Sequence, residues 1–145
     1  MRAPISVIIP TLNAAAALPG CLGALIEGLE AGLIREVIVS DGGSADATDA
    51  IAEAWGAQVL QGAASRGAQL RRGCAAAGGD WLLVLHADTL LAPGWAAGVA
   101  QHLGADRAAW FRLRFDTGGL AARWVARWAN LRSALGLPYG DQGLL

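Results

Sequence analysis

Short apolar runs alternate along the chain with longer segments whose apolar residues recur at every third or fourth position. The short runs are typical of strands buried on both faces of a sheet, and the longer segments are typical of amphipathic helices. The predicted strands are 6–10, 36–40, 58–61 and 81–85; the predicted helices are 14–31, 44–55, 65–77, 93–103 and 118–135; and 109–115 alternates like a strand with one exposed face. This order, with short connections, predicts an α/β fold in which helices flank a mostly parallel central sheet.

Length and composition are those of one globular domain. The chain has 145 residues, of which 54% are hydrophobic and 16% are charged, and its formal net charge is −1. A disordered chain would be poorer in apolar residues and richer in net charge, so that class is excluded. The near-zero net charge also argues against a protein that binds nucleic acid through bulk charge.

The chain shows no targeting or redox motif. Its first apolar run ends at Pro10, too early for a signal peptide. The best candidate for a membrane-spanning helix, 81–100, is interrupted by polar residues, glycine and proline. Cys21 and Cys74 are far apart in sequence and are expected to be buried free thiols. We therefore expect a soluble, cytoplasmic protein.

Polar clusters follow three of the predicted strands. They are Pro10-Thr11-Leu12-Asn13, Ser40-Asp41-Gly42-Gly43-Ser44 and His86-Ala87-Asp88-Thr89. In an open parallel sheet, ligands bind outside the carboxyl ends of the strands. The three clusters are therefore expected to meet at one edge and to form the functional site.

Asp41 is the first candidate residue at this edge. A carboxylate there can accept hydrogen bonds from the base or ribose of a nucleotide, while the structural alternative is an aspartate that caps the next helix. The following Gly42-Gly43 lacks the spacing of the dinucleotide-binding fingerprint, and a chain without lysine cannot carry a Walker A motif.

The sequence His86-x-Asp88 directly follows a run of five apolar residues. A carboxylate at this place suits Mg²⁺ or Mn²⁺, which take one or two carboxylates together with substrate phosphates. An imidazole ligand would favour Mn²⁺. The structural alternative is a helix-capping aspartate beside a packed histidine.

Three arginines, Arg66, Arg71 and Arg72, lie on or just before one predicted helix. Guanidinium groups match phosphate geometry and would hold a diphosphate. A solvated helix face is the alternative interpretation.

The segment 118–135 carries Trp124 and Trp128 on an apolar stripe flanked by arginines. Packing against the sheet or against a missing C-terminal segment explains such a stripe, and contact with a membrane or with a lipid-linked acceptor is the alternative. Further along, Asp141 lies in a predicted loop and is a candidate general base.

The order of these motifs resembles glycosyltransferases of family 2, which have the GT-A fold. The resembling segments are SVIIPTLN at 6–13, EVIVSDGGSADAT at 36–48, RGAQ at 66–69 continuing to Gly73, and GDWLLVLHAD at 79–88. The resemblance covers nearly the whole chain. Its details, His-Ala-Asp-Thr at 86–89 and Leu-Pro-Tyr-Gly-Asp-Gln-Gly at 137–143, are most similar to a short bacterial subgroup annotated in arsenosugar biosynthesis.

The resemblance implies an inverting, metal-assisted transfer of a sugar from a nucleoside diphosphate donor, with UDP expected, to an acceptor hydroxyl. It implies that Asp88 binds the divalent metal, Mn²⁺ or Mg²⁺, and that Asp141 is the catalytic base. The residues it implies at the nucleoside are Pro10, Thr11, Asn13 and Asp41. Arg66 and His86 are further candidates for binding the donor.

Three positions depart from the family pattern. Gly42 replaces the second aspartate of the nucleotide segment, and His86 replaces the first aspartate of Asp-x-Asp. The base motif reads Asp141-Gln142 where the family has Glu-Asp, so Gln142 is an alternative occupant of the base position. The missing carboxylates support a competing hypothesis, a non-catalytic nucleotide-sugar binding module or inactive fragment. A nucleotidyltransferase ranks last, because the loop after the first strand has neither glycine nor lysine.

The resemblance also suggests how the single domain 1–145 is divided. We expect 1–104 to be the nucleotide-sugar binding half and 105–145 to be the start of an acceptor half. Asp141 lies four residues from the last residue, and the family continues beyond this motif, so we expect a truncated or unusually short enzyme. The stripe in 118–135 would then be exposed and would favour a homodimer or peripheral membrane contact.

Overall fold

A five-stranded sheet with strand order β3-β2-β1-β4-β5 organises the protein. The computed structural model describes residues 2–105, 107–112, 114, 119–135 and 143–145. The elements are β1 Ile5–Thr11, α1 Leu18–Ala24, α2 Ile26–Glu30, β2 Ile34–Asp41, α3 Thr48–Ala54, β3 Gln58–Gln61, α4 Arg66–Ala76, β4 Trp81–Val84, α5 Trp95–His102, α6 Leu120–Ala134 and β5 Gly143–Leu144. Strands β1 to β4 are parallel and β5 is antiparallel to β4. The predicted α/β fold with a mostly parallel sheet is confirmed.

The central strand β1 is apolar on both faces because helices cover both faces of the sheet. Ile5, Val7 and Ile9 contribute to a large core that also contains buried residues of α1, α3 and α5. Ile8 points to the opposite face, where Leu70 of α4 packs in a smaller core. The continuous apolar run predicted this two-sided burial.

The segment predicted as one helix, 14–31, forms two short helices instead. The N–H of Leu25 donates to the carbonyl of Leu22, a tighter step of three residues that interrupts the α-helical pattern between α1 and α2. In addition, α1 begins only at Leu18, because residues 14–17 form a turn. Hydrophobic periodicity alone therefore overestimated the length of this helix.

Two other predicted helices begin later than expected, and one predicted strand is absent from the described residues. Helix α3 begins at Thr48, because Ser44, the first residue of the predicted helix, hydrogen-bonds to Asp41. Helix α5 begins at Trp95 because Gly94 before it is left-handed, with φ of 87°. In the described part of 109–115, only an isolated bridge from Ala109 to Leu144 is strand-like.

The other predicted elements match closely. The strands 6–10, 36–40, 58–61 and 81–85 and the helices 65–77 and 118–135 are present within two residues of their predicted ends. Within the described ranges, no helix has the length and the apolar character needed to cross a membrane.

Gly73 provides a test of how α4 packs on the sheet. A Cβ at this position would lie 2.5 Å from Cγ2 of Ile8 in the central strand, and this methyl group sits next to the backbone and cannot move away cheaply. We expect Gly73→Ala to lower the free energy of unfolding by about 1–3 kcal/mol, as overpacking of a core does. Urea denaturation followed by circular dichroism measures this change in the free energy of unfolding.

The matched control is Gly98→Ala, also inside a helix, where no atom lies within 4 Å of the added Cβ. Here the better helix propensity of alanine is expected to raise the free energy of unfolding by about 0.5–1 kcal/mol. Equal effects of the two substitutions would contradict the described packing of α4.

Candidate functional site

The three polar clusters predicted from the sequence lie at one edge of the sheet. Thr11 at the end of β1 is paired with Asp41 at the end of β2, and Ile8 of β1 is paired with Val84 at the end of β4. Because these strands are parallel neighbours, the segments that follow them leave the sheet side by side. The candidate site is built from these segments and from the start of α4.

Asp41 is fully buried and its carboxylate accepts four hydrogen bonds. The hydroxyl of Thr11 donates to Oδ1 at 2.8 Å and the hydroxyl of Ser44 donates to the same oxygen at 2.5 Å. The backbone N–H groups of Gly43 and Ser44 donate to Oδ2 at 2.8 and 2.7 Å. The two glycines after Asp41 allow the tight turn that brings these N–H groups back to it.

Burial and hydrogen bonding shift the pKa of the Asp41 carboxyl group in opposite directions. Desolvation raises the pKa of its carboxyl group, but the bonds from Ser44, Thr11 and Gly43 outweigh it and leave the pKa below its ordinary value. The group is therefore an ionised, fully coordinated carboxylate. Its acceptor positions are used within the protein, so in this structure Asp41 organises the turn, and its predicted contact with a nucleoside stays a prediction.

Asn13 joins the loop after β1 to the loop after β2. Its φ of 50° is in the left-handed region, which asparagine tolerates better than most residues. Its backbone N–H donates to the hydroxyl oxygen of Ser44 at 2.8 Å, and its side-chain oxygen accepts from the N–H of Ala45 at 2.8 Å. Ser44 thus accepts from one loop and donates to Asp41 in the other, which fixes both loops.

Gln69 of α4 belongs to the candidate site, and the sequence did not single it out. It is buried, and its side-chain amide donates to the carbonyl oxygens of Thr11 at 2.7 Å and Ser40 at 2.9 Å. These carbonyls belong to the ends of two neighbouring strands. The only signal in the sequence was its place in the 66–69 segment, since a buried glutamine leaves no mark in a hydrophobic pattern.

The three arginines of the 66–72 segment have different environments. Arg66 lies at the candidate site, whereas Arg72 donates to the carbonyl oxygen of Asp41 at 2.8 Å from behind the turn. Arg71 is exposed. Of the three, Arg66 lines the cleft and Arg72 holds the turn, and the predicted contact of arginine with phosphate stays a prediction.

A cleft of about 290 Å³ opens at this edge. Its lining residues are Pro10, Thr11, Leu12, Arg66, Gln69 and His86. The guanidinium of Arg66 lies against the ring of His86, with Nη2 at 2.8 Å from Nε2. Four residues predicted at the donor, Pro10, Thr11, Arg66 and His86, are thus brought together, while Asn13 and Asp41 support the cleft from the adjoining loops.

Asp88 is exposed in the turn that follows β4, where the N–H of Thr89 donates to the carbonyl of His86. Among the described residues, no group of three histidine, cysteine or acidic side chains is arranged to hold a metal. Mg²⁺ and Mn²⁺ commonly bind through one or two carboxylates and substrate phosphates, with water completing the shell. A single exposed carboxylate beside a cationic cleft fits that mode of binding and does not fit an all-protein metal site.

Cys21 lies close to this turn but is not a candidate metal ligand. Its thiol is directed at the carbonyl oxygen of His86, at 3.5 Å. Burial raises the pKa of Cys21 to about 12, and the negative charge of Asp88 adds to the effect. The thiol therefore stays protonated, as expected for a buried free cysteine. The predicted base, Asp141, and its neighbour Gln142 lie outside the described residues.

Solved structures of glycosyltransferases share this fold. The chain superposes on glucosyl-3-phosphoglycerate synthase from Mycobacterium tuberculosis in complex with Mn²⁺ and UDP-glucose, with a TM-score of 0.69 and 25% identity over 97% of this chain and 55% of that one. The same synthase with Mn²⁺, UDP and phosphoglyceric acid gives a TM-score of 0.68 and 26% identity over 97% of this chain and 54% of that one.

A second enzyme, TarS from S. aureus (residues 1–349) in complex with UDP, gives a TM-score of 0.66 and 21% identity over 81% of this chain and 38% of that one. This likeness shows the fold alone. The chain thus spans about half the length of the synthase and less of TarS. No curated protein sequence matches the chain.

The family model described as glycosyl transferase family 2 matches residues 6–142, which include the β1, β2 and β4 strand ends and the cleft between them. The match extends over nearly the entire sequence and agrees with the GT-A fold of the solved relatives. The chain therefore belongs to glycosyl transferase family 2.

Proposed function

We propose that the chain binds a nucleoside diphosphate sugar, with UDP as the nucleotide, and transfers the sugar to an acceptor hydroxyl with inversion at the anomeric carbon. The observation that carries the proposal is the cleft at the β1, β2 and β4 ends, which is lined by Arg66 and built on strand ends that Asp41 and Gln69 hold by hydrogen bonds. The similar synthase was solved with Mn²⁺ and UDP-glucose.

The cleft suits the donor because it pairs a fixed backbone with a cation. Thr11 and Pro10 present a rigid strand end on which the nucleoside can lie, and Gln69 keeps the neighbouring carbonyls in place. Arg66 supplies the guanidinium for a phosphate oxygen, where charge-assisted hydrogen bonds are short and strong. The ring of His86 lies against this guanidinium and orients it.

Asp88 is proposed to hold a divalent cation, Mn²⁺ or Mg²⁺, together with the donor's phosphates. When bound, the cation supplies Lewis acidity that neutralises charge on the departing nucleoside diphosphate. Asp88 contributes one carboxylate, and Arg66 adds positive charge from the protein itself. With His86 in place of a second carboxylate, more of the charge stabilisation falls to Arg66.

Asp141 is proposed as the base, with Gln142 next to it as the alternative occupant of the base position. The carboxylate of Asp141 takes the proton of the acceptor hydroxyl as its oxygen forms a bond to the anomeric carbon. The bond from that carbon to the phosphate oxygen breaks, and the nucleoside diphosphate leaves from the opposite face. Positioned base catalysis of this kind contributes about 10²–10⁴-fold in rate.

Within this proposal, 1–104 binds the donor and 105–145 begins the acceptor side. Membership of the arsenosugar subgroup and a cytoplasmic location remain predictions. The contacts predicted for 118–135, with a membrane or a second copy, involve a surface other than the donor cleft.

A specific observation favours the competing function, a nucleotide-sugar binding module without turnover. His86 stands at the position where the family has a carboxylate, and its ring lies against Arg66.

The role of Arg66 is tested by Arg66→Met, with Arg71→Met on the same helix as the matched control. Loss of a charge-assisted hydrogen bond costs about 1.5–3 kcal/mol, which corresponds to roughly a 10- to 150-fold weaker affinity. Isothermal titration calorimetry measures the affinity of each variant for UDP. The exposed Arg71 should have little effect, and equal losses in the two variants would show general electrostatics instead of a phosphate contact.

The role of Asp88 is tested by Asp88→Asn in UDP titrations with and without Mn²⁺. We expect Mn²⁺ to strengthen UDP binding by the original protein and to have little effect on the variant, because the carboxylate that shares the metal is gone. In the presence of EDTA, the two proteins should bind UDP alike. An unchanged response of the variant to Mn²⁺ would remove Asp88 from the metal site.

Turnover is tested with UDP-glucose and water as the acceptor, followed by proton NMR. Inversion predicts that β-glucose is released first, and Asp141→Asn should lower kcat by about 10²–10⁴-fold, whereas the exposed Asp80→Asn should not. Release of α-glucose would contradict inversion. Binding of UDP-glucose with no hydrolysis by the original protein would favour the non-catalytic binding module.

A further inference from the structure

Helix α6 turns its large apolar side chains outward. Leu120 is 85% exposed, Trp124 is 70% exposed and Leu135, directly after the helix, is 71% exposed. With Trp128 and Leu131 they form one stripe along the helix, which we name the α6 apolar face. The rings of Trp124 and Trp128 stack with centroids 6.4 Å apart. This is far more exposed apolar surface than a surface helix of a globular protein ordinarily shows.

The opposite side of α6 is lined by small residues. Ala129 and Ser133 are almost fully buried, and Ala122 and Ala126 lie on the same side at intermediate exposure. The helix therefore rests on the protein through small side chains and presents its bulky ones to the outside. Such an arrangement leaves the α6 apolar face available to a partner that provides apolar surroundings.

Arginines border the α6 apolar face on both sides. By helical position, Arg123 and Arg127 lie along one edge and Arg132 along the other, and α6 contains no acidic residue. Arg112 joins Arg127 and the two tryptophans around an open recess of about 630 Å³. The occupant of this surface must therefore be apolar at its centre and anionic at its borders.

The charges of the chain are divided unevenly along the sequence, with the positive excess in the part that contains α6. Residues 1–106 contain five arginines and ten acidic residues, whereas residues 107–145 contain six arginines and two acidic residues. The net charge of −1 thus conceals a positive segment of +4 that includes the α6 apolar face. This asymmetry orients the protein toward an anionic surface.

We propose that the α6 apolar face docks on a membrane surface rich in anionic phospholipid. The helix of 15 residues is about 22 Å long, too short to span a bilayer, and would lie in the interface. Its leucines and tryptophans enter the boundary between headgroups and acyl chains, while the arginines bind lipid phosphates. The inference is independent of the proposed transfer reaction.

A second copy of the chain is a poorer occupant for this surface. A two-fold contact between two α6 apolar faces brings identical arginine borders toward each other. Like charges placed together across an interface repel each other, whereas lipid phosphates neutralise them. Charge complementarity therefore favours the membrane.

The test is flotation of the full chain with vesicles of phosphatidylcholine alone or with 30% phosphatidylglycerol. We expect binding to the anionic vesicles that weakens with added salt, and much weaker binding to the neutral ones. Trp124→Ser with Trp128→Ser should reduce the partition coefficient at least tenfold. Arg123→Gln with Arg127→Gln should reduce it about 25-fold, at roughly fivefold per arginine.

The matched control is Trp55→Ser, an exposed tryptophan outside the α6 apolar face, which should bind like the original protein. Should a variant fail to fold, quenching of tryptophan fluorescence by brominated phosphatidylglycerol still reports whether the original protein inserts tryptophan side chains into anionic vesicles. Equal binding to neutral vesicles, or no binding, overturns the proposal. Self-association in sedimentation velocity that Trp124→Ser abolishes, without vesicle binding, assigns the surface to a second copy. UDP titration of the same samples reports the donor cleft separately.

Discussion

The hydrogen-bonded carboxylate of Asp41 is the constraint on which the site depends. A buried charge is costly unless it is fully compensated, and here Thr11, Ser44 and Gly43 provide the compensation from two different strand ends. Satisfying this one carboxylate fixes the length of the turn after β2, the rotamer of Thr11 and the position of Ser44. Because hydrogen bonding holds the pKa of Asp41 below its ordinary value, this network is intact at neutral pH and is lost as the pH falls through that pKa.

The neighbouring helix α4 extends the same constraint to the cleft. Gln69 caps the carbonyls of Thr11 and Ser40, and Arg72 caps that of Asp41, so the helix is tied to both strand ends by hydrogen bonds. Arg66 is the first residue of this helix. The contacts of Gln69 and Arg72, one and two turns further along α4, therefore determine where Arg66 lies. The close approach of Gly73 to Ile8 keeps the helix against the sheet.

Local and long-range features of this fold differ in how far the sequence predicts them. Strand positions followed from short apolar runs, which are local in sequence. The convergence of the three polar clusters followed from the general rule that ligands bind at the carboxyl ends of parallel strands. The role of Gln69 did not follow, since Thr11 is 58 positions away, and neither did the contact of Ser44 with Asn13, 31 positions away. Ser44 matched the pattern of a helix N-cap, and only the prior demand of Asp41 for donors explains why α3 begins later.

The distribution of charge connects the donor cleft with the outward face of α6. Residues 1–106 contain twice as many acidic residues as arginines, so a diphosphate approaching this part of the chain meets an unfavourable average potential. Of its arginines, Arg72 is engaged at the turn and Arg71 is exposed, while Arg66 lines the cleft. On the proposed function, local positive charge is concentrated at the cleft, in Arg66 and in a cation that Asp88 would hold. The remaining excess of arginine lies along 107–132, where the proposed anionic surface would neutralise it and hold the acidic part of the molecule, 1–106, away from the lipid.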